Sequence, residues 1–486
     1  MRSVSLTLML AAMAGCTVGP DYNGPPEVKL GEGWTLPTPE GKADAALSDW
    51  WRALGDPALT RLVEQALAQN LDVRQAISRI AEARALVAAS SARSLPVLTG
   101  GAVAAPLHQG VNGPLPALGS RDTTLYAFGF DASWEVDLFG SVRRSVESAD
   151  ARLQAVQEDA AAVRISVAAE VARTYLSMRG AQAELAARRM SIETLQRTLD
   201  AARRRLAQGD VAQADYNAIQ SRLDAGLAGL PAIEARARGA ALALGTLLGG
   251  LPEDELALLG SGGTLLVVTE LPTGQRADLL RRRPDVRAAE RKLAASTADI
   301  GVATAELFPR LSITALGGFT AAGANPLFLG DSLSGIIAPL ISWRVFDGGR
   351  VKAEINAAQA RHETAALAYE GAVLNALGDA ERALSQFRFA RQAYVLQQQA
   401  VVSIEQDFRN AQRRYQSGDI GLVELLDAER QLRDAQEGLA RAQANAAIDL
   451  VSLYKSLGGG WGAPQADIII DTPVHRKERV IYEQAN

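Results

Sequence analysis

The chain has a single cysteine, Cys16, and three histidines, His108, His362 and His475. One cysteine cannot close an internal disulfide, and no two histidines have helical metal-ligand spacing, so neither a disulfide framework nor a metal cluster is expected. Aromatic residues make up only 5% of the chain. No stretch reaches the roughly 20 apolar residues of a membrane-spanning helix, so any crossing of a bilayer has to be made by strands. Basic and acidic residues nearly balance, 50 against 55, for a net charge of −5, which leaves no basic patch for nucleic acid. There is no Gly-x-Ser-x-Gly elbow and no phosphate-binding loop. Ser452-Leu453-Tyr454-Lys455 fits Ser-x-x-Lys, but it lies mid-helix without the companion motifs of that chemistry. These absences argue against an enzyme. Any energy the protein uses has to come from a partner.

What is present is long helical pattern. The 486 residues are 48% hydrophobic and dominated by Ala, Leu, Arg, Gln and Glu, a balance suited to helices packed through small side chains. Arg2, the apolar run Leu6 to Met13, and Ala14-Gly15-Cys16 form a charged n-region, an h-region and a small-residue cleavage point. Residues 1–15 therefore read as a secretory signal, and 16–48, with Gly19-Pro20, Gly24-Pro25-Pro26, Pro37 and Pro39, as an extended tether.

From residue 49 to 250 the pattern is helix, β-hairpin (97–137) and helical hairpin (141–249). Trp50 to Arg93 is helical in period, with Asp56-Pro57 as a start signal. Tyr126, Phe128, Phe130, Ala132, Trp134 and Val136 alternate with small or polar residues, which predicts a strand; Val97–Ala105 is its candidate partner across a loop at 106–122. Val142, Val146, Ala149, Leu153, Val156, Ala160, Val163 and Val167 then follow a strict heptad seam. No proline occurs between Pro116 and Pro231. A helix from Ser141 to Gln208 would be roughly 100 Å long. Gly209-Asp210 ends it, and a return helix from about Ala212 is expected to kink at Pro231.

After a connector (251–283), residues 284–460 repeat the scheme: helix, β-hairpin (310–346), helical hairpin (350–457). Asp285 matches Asp72 and Pro309 matches Pro96, both at an offset of 213. Trp343 matches Trp134 and Gly418 matches Gly209, both at 209. Agreement at four landmarks marks an internal repeat. The tail 461–486 is polar and carries no assignment. Four amphipathic strands are too few to close a barrel and cannot leave open edges in hydrocarbon. The strands must close by association, and each strand pair runs straight into a long helix, so a strand barrel would continue into a helical barrel.

Several motifs resemble the outer-membrane factor family, the TolC-like exit ducts: Trp50-Trp51…Asp56-Pro57, Trp134-Glu135-Val136-Asp137-Leu138-Phe139-Gly140, Pro284-Asp285-Val286-Arg287 with Phe308-Pro309, and Trp343…Phe346-Asp347-Gly348-Gly349-Arg350. Gly15-Cys16 and Val18-Gly19-Pro20-Asp21-Tyr22 resemble its lipoprotein branch, the OprM- or NodT-like efflux subunits. The fold class implied is mostly α with a small β part: four strands per chain in a 12-stranded trimeric outer-membrane β-barrel, and helical hairpins forming a periplasmic α-barrel. The resemblance also implies N-palmitoyl and S-diacylglycerol groups on Cys16, contact with outer-membrane lipid, a homotrimer, a periplasmic adaptor docked near the hairpin turns Gly209-Asp210 and Gly418-Asp419, and an inner-membrane pump of the RND type. No other cofactor is implied.

Trp134 and Trp343, at strand ends, read either as core residues or as membrane-interface aromatics, and the alternating strands favour the interface. Val423, Asp427 and Arg430 follow at i, i+4 and i+7 and share one helix face. By periodicity that face is a solvated helix start whose acid complements the dipole. By resemblance it is the periplasmic gate, with Val423 the apolar constriction, Asp427 an acidic ring and Arg430 its cationic neighbour. Glu429 points to another face, and its replacement is expected to matter much less. An efflux duct is the leading function. The same duct in type I protein secretion, or a periplasmic coiled-coil spacer without a channel, are the alternatives; the strands speak against the spacer.

Overall fold

The computed structural model describes residues 17–31, 33–37, 49–108, 122–260 and 273–459. The signal segment 1–15, Cys16, His475 and the tail lie outside them. The chain order is α1 (Trp50–Ala53), α2 (Pro57–Gln69), α3 (Leu71–Ala92), β1 (Val97–His108), β2 (Asp122–Val136), α4 (Ser141–Gln208), α5 (Gln213–Leu247), a 3-10 segment Pro252–Leu259, α6 (Asp278–Arg282), α7 (Pro284–Ala305), β3 (Arg310–Ala321), a 3-10 turn Gly330–Ser332, β4 (Leu333–Ser342), α8 (Arg350–Gln416) and α9 (Leu422–Ser456). The fold is mostly helical with four strands, as the patterns imply.

The differences lie at boundaries, and side-chain caps explain the first. The stretch read as one helix from Trp50 to Arg93 is three. Asp56 accepts the N–H groups of Ala58 and Leu59, at 2.8 and 3.1 Å, and Pro57 opens α2. Asn70 accepts those of Asp72 and Val73, at 2.9 and 3.2 Å, and opens α3. β1 extends beyond Ala105 to His108, so His108 is a strand residue, paired with Asp122 at 2.5 Å across the ladder. β4 stops at Ser342, just before Trp343. Pro231 lies inside α5, which continues on both sides of it.

Two compact units are present. The first comprises residues up to Lys29, Ile77–Glu158 and Asp285–Val373; the second comprises Leu30–Ala76, Asp159–Pro284 and the described part of the chain from Leu374. The sheet belongs to the first. All its neighbours are antiparallel, in the order β1-β2-β3-β4, although a long helical excursion separates β2 from β3 in sequence. Register sorts the side chains. Leu98, Phe128, Phe130, Trp134, Ile313, Phe319, Ile337 and Ile341 share one face, whereas Thr99, Asp131, Glu135, Ser312, Thr314 and Ser334 share the other. One wall of the sheet is therefore almost wholly apolar, whereas the opposite one mixes these polar groups with Val103, Leu316, Ile336 and Leu340.

Both strand-to-helix joints are capped by aspartates of the quoted motifs. Asp137 accepts from the N–H groups of Val142 and Arg143, at 3.2 and 2.9 Å. Asp347 accepts from Gly349 and Val351, both at 2.9 Å, and the Val351 N–H foremost holds its carboxyl below the usual range. Along α4 the heptad residues Val142, Ala160 and Val167 are buried, and Val146, Ala149, Leu153, Val156 and Val163 are half-buried.

In the second unit, Leu59, Leu62, Val63 and Ala66 form a closed core face of α2. Trp50 stacks on Tyr454 at 5.2 Å, and the Tyr175 hydroxyl donates to Asp56 at 2.8 Å. The Trp50-Trp51…Asp56-Pro57 motif is thus a packing and capping device.

The described beginning of the segment read as a tether is extended but fastened. Within the first unit, Val18 N–H donates to Phe139 O at 3.1 Å. Asp21 pairs at 2.5 Å with Arg144, which is only 3% exposed. The Tyr22 hydroxyl donates to Glu290 at 3.3 Å, with Arg291 over its ring. Gly19 (φ +91°) lies so close to Gly301 that an added Cβ would sit 2.4 Å from the Gly301 Cα. The conformation and the contact both demand glycine. Gly19→Ala should therefore loosen the strap, at a cost of about 1–3 kcal/mol. Trypsin should then cut after Lys29 several-fold faster than in the unsubstituted protein; an unchanged rate would mean that the strap is held elsewhere.

Candidate functional site

The candidate gate lies in the second unit, where both helical hairpins turn. α4 and α8 end alike. The N–H groups of Gly209 and Asp210 return to Leu206 O and Arg205 O, at 3.1 and 3.0 Å; those of Gly418 and Asp419 return to Tyr415 O and Arg414 O, at 3.1 and 2.8 Å. These are paired C-terminal caps, and the φ values of +80° and +82° at the two glycines are what they require. A Cβ at either glycine would meet nothing within 4 Å, so conformation and not space selects the residue.

Beyond the turn, α9 packs on the first hairpin. Leu426 is buried with Ala202 of α4 and Ile219 of α5, flanked by Leu199, Tyr216 and Leu422. That buried stripe leaves Val423 42% exposed, and the Asp427 and Arg430 side chains are 45% and 54% exposed. All three lie outside the buried stripe.

Asp427 has two cationic neighbours, the inferred Arg430 and a nearer arginine from another helix. Arg430 stands 3.9 Å away and makes its shorter bond, 2.9 Å, to Asp434. The close contact is from Arg222 on α5, at 2.7 Å. A second cross-link joins the hairpins where Arg205 donates to the Tyr415 hydroxyl at 2.8 Å. No spacing rule links residues about 200 positions apart, so sequence periodicity could not have found either contact. Between groups this exposed, an ion pair contributes at most ~1 kcal/mol.

Glu429 does lie on a different face from Asp427, but that face is the buried one. It is 6% exposed, its Oε1 accepts no hydrogen bond, and Arg433 stays 3.7 Å away. Burial pushes its carboxyl pKa up, and Arg433 opposes the shift only in part. It is therefore no neutral comparison for Asp427. Further along, Glu184 and Glu437, both nearly inaccessible, share three arginines. Arg236 and Arg441 reach Glu184 at 2.6 and 3.1 Å; Arg188 and Arg441 reach Glu437 at 3.1 and 3.4 Å. α4 and α9 come this close because Gly180 faces Ala444, whose Cβ would be 2.6 Å from a Cβ added at the glycine. Removing one member of such a buried cluster strands the others.

In the first unit, the two tryptophans named as interface residues are held identically. The Trp134 indole donates to Ser94 O at 2.9 Å and the Trp343 indole to Leu307 O at 3.0 Å, with the rings 37% and 59% exposed. A satisfied N–H at one end and an open ring at the other suits the boundary between water and lipid. Among the described residues no group of side chains could hold a metal ion, and no helix is long and apolar enough to cross a membrane.

The raised Glu429 pKa has a definite sign. The folded state holds that proton more tightly than the unfolded chain, so its contribution is present below the ordinary glutamate pKa and is lost as pH rises through the folded value. Glu429→Gln should stabilise the fold near pH 7.5 by about 1–2 kcal/mol, seen as a higher unfolding midpoint, and give no gain near pH 4. Thermal unfolding monitored by circular dichroism at both values checks this; equal effects at the two would refute it.

Comparison with known proteins places this arrangement. A family model described as "Outer membrane efflux protein" matches residues 62–250 and 276–459, one stretch in each repeat. Nodulation protein T of Rhizobium leguminosarum bv. trifolii is 31% identical over 455 residues, covering 92% of this chain and 95% of the relative. The pyoverdine export outer membrane protein OpmQ of Pseudomonas putida is 32% identical over 470 residues, covering 94% and 97%. Among solved structures, the outer-membrane channel OprN superposes with a TM-score of 0.79 at 35% identity, over 92% of this chain and 100% of that one. The open state of the Neisseria gonorrhoeae MtrE outer membrane channel does so with a TM-score of 0.80 at 30% identity, over 92% and 98%. The chain therefore belongs to the outer membrane efflux protein family, whose members are channels of the outer membrane and not enzymes.

Proposed function

We propose that three copies of the chain close a 12-stranded barrel, that Cys16 carries the N-palmitoyl and S-diacylglycerol groups of a lipoprotein, and that the duct conducts small molecules delivered by a periplasmic adaptor and an RND-type pump. The observation that carries the reading is the sheet: four strands, one apolar wall and one mixed wall that carries Asp131 and Glu135, and outer edges of β1 and β4 that pair with no strand among the described residues. Such edges cannot stay open in hydrocarbon. The half-covered heptad seam of α4 is further surface for a neighbouring copy. Relatives described as outer membrane proteins of pyoverdine export, toluene efflux and antibiotic efflux favour small-molecule cargo. The turns at Gly209-Asp210 and Gly418-Asp419 offer exposed backbone to an adaptor. Native mass spectrometry in detergent should give a trimer of chains that begin at residue 16 and carry added acyl mass. A stable monomer would refute shared closure, and a bare N-terminus the anchor.

At the gate, Val423, Asp427 and Arg430 line the closed constriction, and Arg222 holds α9 against the first hairpin through Asp427. Opening means parting Arg222 from Asp427 and Arg205 from Tyr415, links weak enough to yield when a partner binds the turns. Asp427→Ala and Arg222→Ala should each raise single-channel conductance in planar bilayers, and Asp427→Ala should also weaken cation block. Glu424→Gln, exposed one residue from Val423, should change conductance little. Equal small effects from all three would remove the gate from this helix face.

A further inference from the structure

The hairpin turn joining β3 to β4 lies at the end of the sheet opposite the strand ends that continue into α4 and α8. In an outer-membrane channel whose helices face the periplasm, that is the outer rim. Residues 322–332, Ala-Gly-Ala-Asn-Pro-Leu-Phe-Leu-Gly-Asp-Ser, contain one charge, Asp331, and three consecutive large apolar side chains, Leu327, Phe328 and Leu329. Phe328 is 66% exposed and Leu329 59%. The loop is nonetheless built. Leu329 N–H donates to Pro326 O at 3.1 Å, Ser332 N–H to Leu329 O at 3.0 Å, and the Ser332 hydroxyl to Pro326 O at 2.7 Å.

The loop also has a direction. The Phe328 ring meets Phe128 at 5.9 Å and Phe319 at 5.5 Å, edge to face in both cases. Phe128 and Phe319 are register partners on the apolar wall. The loop has therefore folded back over the wall opposite Asp131, Glu135 and Ser334. Along β2, Trp134 lies six positions after Phe128, about 20 Å of strand, close to the ~25 Å apolar band of an outer-membrane barrel. The phenylalanine cluster and the two tryptophans sit where the two aromatic rims of such a band belong.

We propose that the β3–β4 loop is an outward-folded membrane anchor, its Phe328 and Leu329 seated among the acyl chains of the outer leaflet, and not a cover over the channel mouth. A loop standing in water over a pore gains nothing by exposing Leu and Phe. Against lipid the same side chains lose contact with water and the ring cluster becomes the interface belt. This rests on the barrel lying in the membrane with its apolar wall outward, and the test separates the two claims.

The full chain is placed in phosphatidylcholine–phosphatidylglycerol vesicles with a nitroxide on an introduced cysteine, at Leu329→Cys or at Ile337→Cys. Ile337 is 76% exposed on the same wall within β4. The unsubstituted chain serves as the blank for Cys16. Collision with oxygen, which partitions into lipid, is compared with collision with a water-soluble nickel chelate. Both labels should favour oxygen. Phe328→Ala should turn the Leu329 label toward nickel, leave the Ile337 label unchanged, and leave single-channel conductance unchanged. A nickel-favouring Leu329 label beside an oxygen-favouring Ile337 label would overturn the anchor alone, as would a rise in conductance with Phe328→Ala. A nickel-favouring Ile337 label would overturn the barrel placement, and the anchor with it.

Discussion

The backbone of an edge strand governs this molecule. A strand inside a membrane has to pair both of its hydrogen-bonding sides, because hydrocarbon offers no substitute partner. One chain supplies four strands whose three junctions are fully laddered and whose two outer edges are bare among the described residues. Neither repeat solves the problem alone. Each hairpin gains one neighbour only because β2 of the first repeat pairs with β3 of the second. The same economy passes the remaining deficit to further copies, which is why oligomerisation is part of the proposed function and not an addition to it.

In the first unit the strand-to-helix joints are fixed by side chains. Asp137 and Asp347 cap helices that start within a few residues of β2 and β4, so strand and helix meet at a joint held by charge-assisted hydrogen bonds. The strap from Thr17 to Tyr22 is laid against that region: Gly19 on Gly301, Asp21 on Arg144 and Tyr22 on Glu290. A lipid on Cys16 would thus connect to a packed segment and not to a slack leash, and the position of the anchor would be set by side-chain contacts instead of chain length.

In the second unit the balance is different. Around Glu184 and Glu437 charge is buried and mutually compensated, which resists rearrangement. At the turns the links are few and half-exposed: Arg222 to Asp427, and Arg205 to Tyr415. A hairpin pair held firmly at one level and lightly at its tip can part at the tip while the level above stays intact. That gradient is a physical property of this sequence, and it gives the proposed gate somewhere to hinge.

Helix and strand identity, the internal repeat and the two turns were legible along the chain, because heptad spacing, strict alternation and Gly-Asp pairs are local signals. The extents of α4 and of the hairpin turns follow from them almost to the residue. The faces of the strands were also legible, since a period of two assigns each side chain to one wall. What remained hidden were the contacts that bring distant residues together. Arg222 beside Asp427, the Glu184–Glu437 cluster and the path of the Thr17–Tyr22 strap obey no periodic rule. Periodicity put Glu429 on a different face from Asp427 but did not show that this face is closed; it is buried because α9 turns its Leu426 stripe toward the first hairpin. Phe328 read only as part of a loop until folding set its ring on Phe128 and Phe319. Local hydrogen-bonding and hydrophobic period decide the elements; which charges meet, and which are desolvated, depends on surfaces that exist only after the elements have packed.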